Sequence, residues 1–507
     1  MVEGDTAKTW LNPITIFIIA LLARALVWSL VPIDWNWDSY HHWQISYLSL
    51  KIGFSRGRLW DLNGCEYIWG MIPHMVEAAL MGLLFTTSIL PYRALNVVLG
   101  SYNAVLVHKI GKRFYSSGNG LMAGLLTAVF PVAAIFDVLA MQDTMALTII
   151  LTSLLLIRDK PFWSGVALAF AGQSRAEYLA AGFIILVGYC LRERLKTGSL
   201  PYILGWSATT LIFSFHLLTQ TGNPLYHLYI SLFNVFGGFE PANQGRSLAS
   251  LALQWISWKL SIWPTKPTGL LILLAWAGVI IIVPLMAKRR WSMYQPQLYF
   301  LAVTTFQLPT FITYLGSDTE GLLIMLRMLI PIAALGFSIL VNLSERAYMS
   351  TNPENVRIRP ELILLASFCL SFLYLVPIYQ GFQIHSVNAF LSGDMIASEY
   401  SGGVIVSDHP TINYRLISTG SVDESSLLGN HYSPALYGVT EPSEYLVWLR
   451  RNNVTLWLRY DYRSDPVWYV LDSNYPGVLV FLTDTPCVRV YAVNSTLISE
   501  LLGDGNT

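Results

Sequence analysis

Long apolar runs separated by short polar breaks constrain this chain more strongly than any other feature. Most of the runs approach the roughly 20 residues that an α-helix needs to cross a bilayer. Since 54% of the residues are hydrophobic and only 12% are charged, lipid is expected to be the main solvent of the chain. The runs lie near residues 13–31, 71–90, 92–108, 119–138, 142–157, 161–176, 178–192, 202–219, 268–287, 297–315, 324–342 and 361–382. The sequence therefore predicts a mainly α-helical, polytopic membrane protein.

Charge is scarce and evenly balanced along the chain. The 31 Lys and Arg residues equal the 31 Asp and Glu residues in number, and no block of like charge occurs. A protein that binds a nucleic-acid backbone needs a basic patch that neutralises phosphates. Nucleic acid is therefore excluded as a partner.

The basic residues predict which loops face the cytoplasm, because cytoplasmic loops carry an excess of Lys and Arg. If every apolar run crossed the membrane, the basic cluster at 109–113 would lie outside. Placing run 71–90 in the first outer loop, as an amphipathic or re-entrant helix, moves all the basic clusters to the cytoplasmic side. That run contains Pro73, His74 and Glu77, which are costly in lipid. The resulting topology has about eleven spans and an outer C-terminus.

This topology and a change in composition after the last span predict two regions. Residues 1–384 are expected to form the transmembrane domain, with outer loops at 32–91 and 220–267, and residues 385–507 a small extracytoplasmic α/β domain. Buried strands are expected at 403–408, 454–461, 477–482 and 488–493, and a helix at 443–452. The predicted location is the plasma membrane or the endoplasmic reticulum, with the C-terminal domain outside.

The first outer loop begins with the sequence PIDWNWDSYHHWQISY, which places acidic and aromatic residues immediately beyond the first span. If this segment is helical, Asp38 and His42 share one face at i, i+4 spacing. A carboxylate at the membrane interface can accept a proton from a hydroxyl group or bind a metal ion. Asp38 could instead cap the helix that follows. The tryptophans, Trp35 and Trp43 among them, fit an interfacial aromatic belt or a sugar-stacking surface.

Further charged residues are expected at the outer ends of later spans. Asp143 lies between the third and fourth spans, where it is either functional or a helix cap. Arg175 and Arg327 are suited to gripping a lipid phosphate through the guanidinium group. The alternative is that they snorkel, or pair with acidic residues such as Glu177. Arg24, inside the first span, requires an intramembrane partner that the sequence does not identify.

This arrangement resembles the GT-C superfamily of integral membrane glycosyltransferases, whose members carry an essential Asp just after the first span. The segment WDSYHHWQIS with Asp38 is similar to their W-D-x-x-Y/F start, and run 71–90 matches the helices in their first outer loop. Asp143 matches their second acidic position, and residues 327–331 are similar to the R-x-L/M-x-P segment that opens a late span. A soluble outer C-terminal domain is also found in several members.

The sequence departs from two branches of that superfamily. The oligosaccharyltransferase catalytic subunit has a W-W-D-Y-G motif, whereas this chain has LWLRYDYRSD at 456–465, and Asp143 stands where that subunit has an acidic pair. Protein O-mannosyltransferases usually follow the first Asp with Glu, whereas Ser39 follows Asp38 here. The resemblance therefore favours transfer of a single sugar from a polyprenyl-phosphate carrier.

The resemblance implies an inverting, mannosyltransferase-like reaction in which Asp38 is the base that deprotonates an acceptor hydroxyl. Asp143 would orient the acceptor or join Asp38 at a metal ion, for which Mg or Mn is the plausible choice. The acceptor would be a glycan, a lipid or a protein. The residues expected to bind substrate or lipid phosphate are Arg327, Arg175, His42, Tyr40 and Glu177.

Three other functions remain open at this point. An oligosaccharyltransferase-like enzyme would use a lipid-linked oligosaccharide as donor. A polytopic transporter would use Arg24 and the acidic residues at the membrane edge to line a path, although the internal repeat common in transporters is not evident. A non-catalytic subunit of a glycosylation complex would need none of these residues for chemistry.

Overall fold

The structure is a computed structural model that describes residues 13–52, 71–193, 200–236, 246–262, 296–314, 323–350, 359–429, 441–459 and 466–503. These residues form nineteen α-helices and a five-stranded sheet. The predicted span 268–287 and parts of the predicted outer loops lie outside the described residues. The chain divides into two compact units, the first comprising residues 1–30, 67–73 and 93–378, and the second comprising 31–66, 74–92 and 379–507.

The first unit contains helices and no strands among the described residues. Its helices are α1 (Pro13–Leu30), α4 (Leu90–Phe114), α5 (Ser117–Ala128), α6 (Pro131–Phe136), α7 (Asp143–Leu156), α8 (Pro161–Ser174), α9 (Ala176–Glu193), α10 (Leu200–Thr221), α11 (Tyr226–Val235), α12 (Leu248–Ile262), α13 (Pro296–Tyr314), α14 (Leu329–Ser350) and the first half of α15 (Pro360–Glu399). The helices α8 and α10 pack closely because Gly165 and Gly205 have no side chains at their contact. A Cβ added at either glycine would collide with backbone atoms of the opposite helix.

The apolar run 119–138 is not one helix, as the sequence suggested, but two. The first helix, α5, ends at Ala128, and Pro131 occupies the first turn of the short helix α6. Proline lacks a backbone N–H and clashes with the preceding turn, so it starts a new helix rather than continuing the old one. After Phe136 the chain runs through residues 137–142 without forming a regular helix, and all six of these residues are buried. A non-helical segment is thus enclosed by helices.

Four helical segments among the described residues are long and apolar enough to cross a membrane: Pro13–Leu30, Leu200–Thr221, Leu323–Ser350 and Pro360–Glu399. The helix α3 (Met71–Leu84) has 14 residues and is shorter than a full span, in keeping with its predicted place in the first outer loop. Length alone does not separate it from α7, which also has 14 residues. The side of the membrane on which each loop lies therefore stays a prediction.

The second unit combines the first predicted outer loop with the C-terminal region. It contains α2 (Trp37–Ile52), most of α3, the end of α15, and then β1 (Val404–Val406), α16 (Pro410–Ser418), β2 (Leu427–Leu428), α17 (Pro442–Arg451), β3 (Val454–Arg459), α18 (Pro466–Asn474), β4 (Leu479–Asp484), β5 (Arg489–Val493) and α19 (Ser495–Leu501). The helix α15 runs without interruption through the predicted boundary between residues 384 and 385.

The sheet has the strand order β2-β1-β3-β5-β4, with β1 parallel to both neighbours and the other two pairs antiparallel. Its apolar core includes Val406, Trp457 and Leu471, which are fully buried. The four strands and the helix predicted from short apolar runs are confirmed to within a few residues. The two-residue strand β2 was not predicted, because it is too short to show any alternation, and neither were the short helices α16, α18 and α19.

Candidate functional site

Asp38 lies in the first turn of α2, at the start of the second unit's first helix. The backbone N–H of Asp38 donates to Asn36 Oδ1 at 3.0 Å, and the backbone N–H of Asn36 donates to Asp34 Oδ1 at 3.0 Å. Asn36 therefore supplies the cap of α2, and the alternative interpretation of Asp38 as the cap is wrong. The Asp38 side chain is partly exposed, so this carboxylate is accessible to a substrate.

Tyr40 ties the start of α2 to its surroundings within the second unit. Its hydroxyl donates to the Asp34 carbonyl oxygen at 2.9 Å, and its ring lies 5.1 Å from that of Tyr414 and 5.9 Å from that of Phe390. Because the side chain is only 1% exposed, these contacts hold the turn that precedes Asp38. The structure gives Tyr40 a clear packing role, and its predicted substrate contact stays a prediction.

His42 and Trp43 of α2, and Trp35 just before it, are more deeply buried than the sequence suggested. His42 Nδ1 lies 3.0 Å from His74 Nε2 of α3. Trp43 is fully buried and donates its indole N–H to the Thr87 carbonyl oxygen at 2.8 Å, and Trp35 is 5% exposed. An interfacial aromatic belt faces lipid and water, so that interpretation is wrong for Trp35 and Trp43.

The helix α16 packs on α2 and brings residues of the C-terminal region close to Asp38. Asn413 Nδ2 donates to Gln44 Oε1 at 3.1 Å, and the His409 ring lies 5.6 Å from that of Trp37, the residue before Asp38. Sequence reasoning did not predict these contacts, because about 370 residues separate the partners and no local pattern links them.

Asp143, Arg175 and Glu177 form one ionic cluster in the first unit. Arg175 Nη1 donates to Asp143 Oδ1 at 2.6 Å, while its Nη2 and Nε donate to the two oxygens of Glu177 at 2.6 and 3.2 Å. Arg175 ends α8 and Glu177 opens α9, so one guanidinium group joins three helix ends. These three bonds use three of the five N–H groups of arginine. The pairing of Arg175 with Glu177 is the alternative that the sequence left open.

Arg327 lies near the same cluster. It sits in a single 3₁₀ turn, Leu326–Met328, directly before α14, and its positive charge acts favourably on the Glu177 carboxylate. Asp143 Oδ2 is buried and receives no hydrogen bond from the described residues. The cluster thus holds two arginines and two carboxylates, and it leaves one carboxylate oxygen available as an acceptor.

The partner of Arg24 is Asp137, which the sequence did not identify. Arg24 Nη2 and Nε donate to Asp137 Oδ2 at 2.7 and 2.9 Å, and Thr144 Oγ1 donates to Asp137 Oδ1 at 2.6 Å. Gly100 of α4 lies directly against the Asp137 carboxylate, where a Cβ would collide with it. Both charged side chains are essentially inaccessible to solvent. This ion pair anchors the segment that leads into Asp143.

Side chains of α4 complete the anchoring of residues 137–142. Arg93 Nε donates to the Val138 carbonyl oxygen at 2.8 Å, and Asn96 Nδ2 donates to those of Leu139 and Met141 at 2.8 and 2.7 Å. Non-helical backbone at membrane depth is tolerated only where protein groups satisfy its hydrogen bonds. The helices α1, α4 and α7 therefore hold a segment whose end fixes the position of Asp143.

Metal binding was predicted for Asp38 and Asp143 with Mg or Mn as the ion. Among the residues that the structure describes, no group of three or more His, Cys, Asp and Glu side chains has the arrangement of a metal site. Asp143 already has one oxygen committed to Arg175. The metal role of Asp38 and Asp143 stays a prediction, and no chemical step is assigned to a metal ion.

The comparisons with known proteins give likenesses of structure only. No protein family model and no curated protein sequence matches the chain. The chain is similar to ArnT from Cupriavidus metallidurans in the apo state, with 14% identity, 96% of this chain and 99% of that chain covered, and a TM-score of 0.50. The structure of ArnT from the same organism bound to undecaprenyl phosphate is 13% identical, with 96% of this chain and 98% of that chain covered and a TM-score of 0.50. AglB from Archaeoglobus fulgidus, an archaeal oligosaccharyltransferase in complex with an inhibitory peptide and a dolichol-phosphate, gives 12% identity, coverages of 88 and 69%, and a TM-score of 0.43.

The likeness to ArnT extends over nearly the whole of both chains, so it concerns the overall fold rather than a shared module. The predicted architecture, a polytopic helical domain followed by a small α/β region, is confirmed, and its overall fold is shared with ArnT. Together with the four apolar helices, it makes the chain an integral membrane protein.

Proposed function

We propose that this protein is a glycosyltransferase that moves a single, mannose-like sugar from a polyprenyl-phosphate carrier to an acceptor hydroxyl group on the extracytoplasmic side of a membrane. The observation that carries the proposal is the fold shared along nearly the whole chain with ArnT, a protein that also has a structure with undecaprenyl phosphate bound. Fold alone does not imply function. The side chains of Asp38 and of the arginine cluster are therefore needed to support it as well.

Asp38 is the proposed base. The acceptor hydroxyl would lose its proton to the Asp38 carboxylate, and the hydroxyl oxygen would form a bond to the anomeric carbon while the bond from that carbon to the carrier phosphate breaks. A base needs a carboxylate that a substrate can reach. Asp38 meets this requirement because its side chain is partly exposed and Asn36, not Asp38, caps α2.

Arg327 and Arg175 are the proposed ligands of the carrier phosphate. The departing phosphate gains negative charge, which guanidinium groups stabilise through charge-assisted hydrogen bonds. Arg175 retains two N–H groups beyond those bonded to Asp143 and Glu177. Asp143, through its second carboxylate oxygen, would accept a hydrogen bond from the acceptor and so orient it. Tyr40, His42 and Glu177 are the further residues proposed to bind the substrate or the lipid phosphate.

The test is sugar transfer by the purified protein in lipid nanodiscs. A polyprenyl-phosphate mannose donor and a lipid-linked oligosaccharide donor are offered separately with a mixture of glycan, lipid and peptide acceptors. Transfer from the first donor supports the proposal, and transfer from the second alone would favour an oligosaccharyltransferase. No transfer from either donor, with net movement of a solute into vesicles, would favour a transporter.

Substitution of the base is the sharpest test of the residue assignment. Asp38→Asn should lower the transfer rate by about 10²–10⁴-fold, because the amide cannot accept the proton. The matched control is Asp394→Asn, which changes an exposed carboxylate of the same unit and should leave the rate unchanged. Near-normal turnover by Asp38→Asn, at equal amounts of folded protein in the membrane, would remove Asp38 from the proposed role.

A further inference from the structure

Two polar contacts join α2 to α3 inside the second unit. His42 Nδ1 lies 3.0 Å from His74 Nε2, and Ser46 Oγ lies 2.7 Å from Glu77 Oε2. These four residues are between 0 and 3% exposed, and we call them the α2–α3 polar seam. Buried polar groups are normally hydrogen-bonded, so the seam specifies how the two helices meet.

The hydrogen bonds of Ser46 favour a proton on Glu77. Ser46 Oγ lies within hydrogen-bond distance of both the His42 carbonyl oxygen, at 2.9 Å, and Glu77 Oε2. A serine hydroxyl has a single proton, so it donates one full hydrogen bond and can serve both oxygens only by sharing that proton in a weaker, three-centre bond. A neutral Glu77 resolves this conflict, since its carboxyl group can donate to Ser46 while Ser46 donates to His42.

The surroundings of Glu77 favour the same neutral state. The other carboxyl oxygen, Oε1, is buried and has no hydrogen-bond partner among the described residues. Ser46 of α2 contacts Glu77, the buried carboxylate of Asp34 repels a second negative charge there, and the His42–His74 contact lies about one turn away along the same two helices. Burial is the largest effect and raises the pKa of Glu77 from its ordinary value of 4.5 to about 8, against the opposing hydrogen bond from Ser46.

The seam lies along the helix that carries Asp38. Asp38, His42 and Ser46 follow one another at intervals of four residues, so they occupy one side of α2. A change in the seam would rotate or tilt this side of the helix, and a displacement of about 1 Å at a reacting group can lower a rate by about 100-fold.

We propose that His74 and Glu77 are positioning residues for Asp38, and that Glu77 acts in this role as a neutral acid. The inference rests on the proposed function for its catalytic consequence. The buried proton on Glu77, between α2 and α3, is a structural claim that does not depend on any substrate.

The first test measures stability and needs no substrate. An unfolded Glu77 titrates near 4.5 and the folded residue near 8, so the folded protein binds the extra proton between these pH values. Stability from this group therefore falls as the pH rises from about 5 to about 8, and it is flat above that range. Thermal unfolding of the nanodisc-embedded protein should show this slope, and Glu77→Gln, an uncharged isostere, should remove it. An identical slope in both proteins would overturn the buried proton.

The second test measures transfer. Glu77→Gln should retain the rate at pH 7 to within about threefold, because the amide replaces the neutral acid, whereas Glu77→Leu should lose about tenfold or more in kcat with little change in KM for the donor. Above about pH 8 the native rate should fall as Glu77 ionises, and the Glu77→Gln rate should not. His74→Phe, which removes the partner of His42, should lower kcat like Glu77→Leu.

The outcomes separate this inference from the proposed function. If the native protein transfers no sugar but the stability slope depends on Glu77, the proposed function fails and the buried proton stands. If the native protein transfers sugar, and the transfer rate of Glu77→Gln falls above the same pH as that of the native protein, the positioning role is overturned. A simple loss of folding cannot mimic the expected result, because it does not extend activity to higher pH.

Discussion

The segment that leads into α7 and the seam between α2 and α3 both bury carboxyl groups, but they stabilise them by different means. In the first unit, Asp137 and Asp143 each bond an arginine, and the three helix ends around Arg175 are joined by ionic contacts. In the second unit, Glu77 bonds a serine, and none of the ion pairs among the described residues includes it. One region holds charge in place, whereas the other avoids charge by retaining a proton.

This difference matches what each region must do in the proposed reaction. Phosphate must be bound where permanent positive charge is available, and the arginines of the first unit retain theirs at any physiological pH. The helix α2, which carries the proposed base, needs a fixed orientation without a second negative charge beside it. A neutral network gives that orientation through hydrogen bonds alone.

The largest expected effect comes from breaking the Arg24–Asp137 pair. Arg24→Met should lower the free energy of unfolding by about 3–5 kcal/mol, because it leaves a buried carboxylate without its cation. The double variant Arg24→Met/Asp137→Leu should recover part of the loss, since no charge then remains. Chemical unfolding of the purified protein measures both values. A loss below about 1 kcal/mol for Arg24→Met would show that the pair does not anchor the segment.

The next effect concerns the ionic cluster around Arg175. Arg175→Gln should lower transfer by about 100-fold, because Asp143 is no longer held in position and the carrier phosphate loses a cation. Arg175→Lys keeps the charge but not the planar set of donors, so it should recover only part of the rate. Equal rates for Arg175→Lys and the native protein would show that charge alone suffices. Measured donor KM values separate phosphate binding from positioning.

The two regions also differ in how far the sequence predicted them. Apolar runs predicted the membrane class, basic clusters predicted the orientation, and short apolar runs in the C-terminal region predicted four of the five strands. Asp38 and Asp143 were singled out because carboxylates are unusual beside a membrane. The sequence also showed that Arg24 needed a buried partner.

What the sequence could not supply was the pairing of distant side chains. Asp137 contacts Arg24 across 113 positions, and Asn413 contacts Gln44 across 369 positions. Such contacts depend on which helices pack together. The 3.6-residue hydrophobic period of a helix shows which of its faces is buried, but not which helix covers that face. Run 119–138 was predicted as one span because its apolar character continues through Pro131, although a proline at this position starts a second helix.

The smallest expected effect tests whether burial is the deciding difference. Arg415 Nε and Nη2 donate to the two oxygens of Asp394 at 2.8 and 3.0 Å, which are distances close to those of the buried Arg24–Asp137 pair, where both N–H groups donate to one oxygen. The side chains are 35 and 47% exposed, and solvent screens their attraction. Asp394→Asn should therefore lower the free energy of unfolding by less than about 1 kcal/mol, and added salt should reduce the effect further. A loss as large as that of Arg24→Met would mean that hydrogen-bond geometry, rather than the removal of water, determines how strongly these pairs hold the fold.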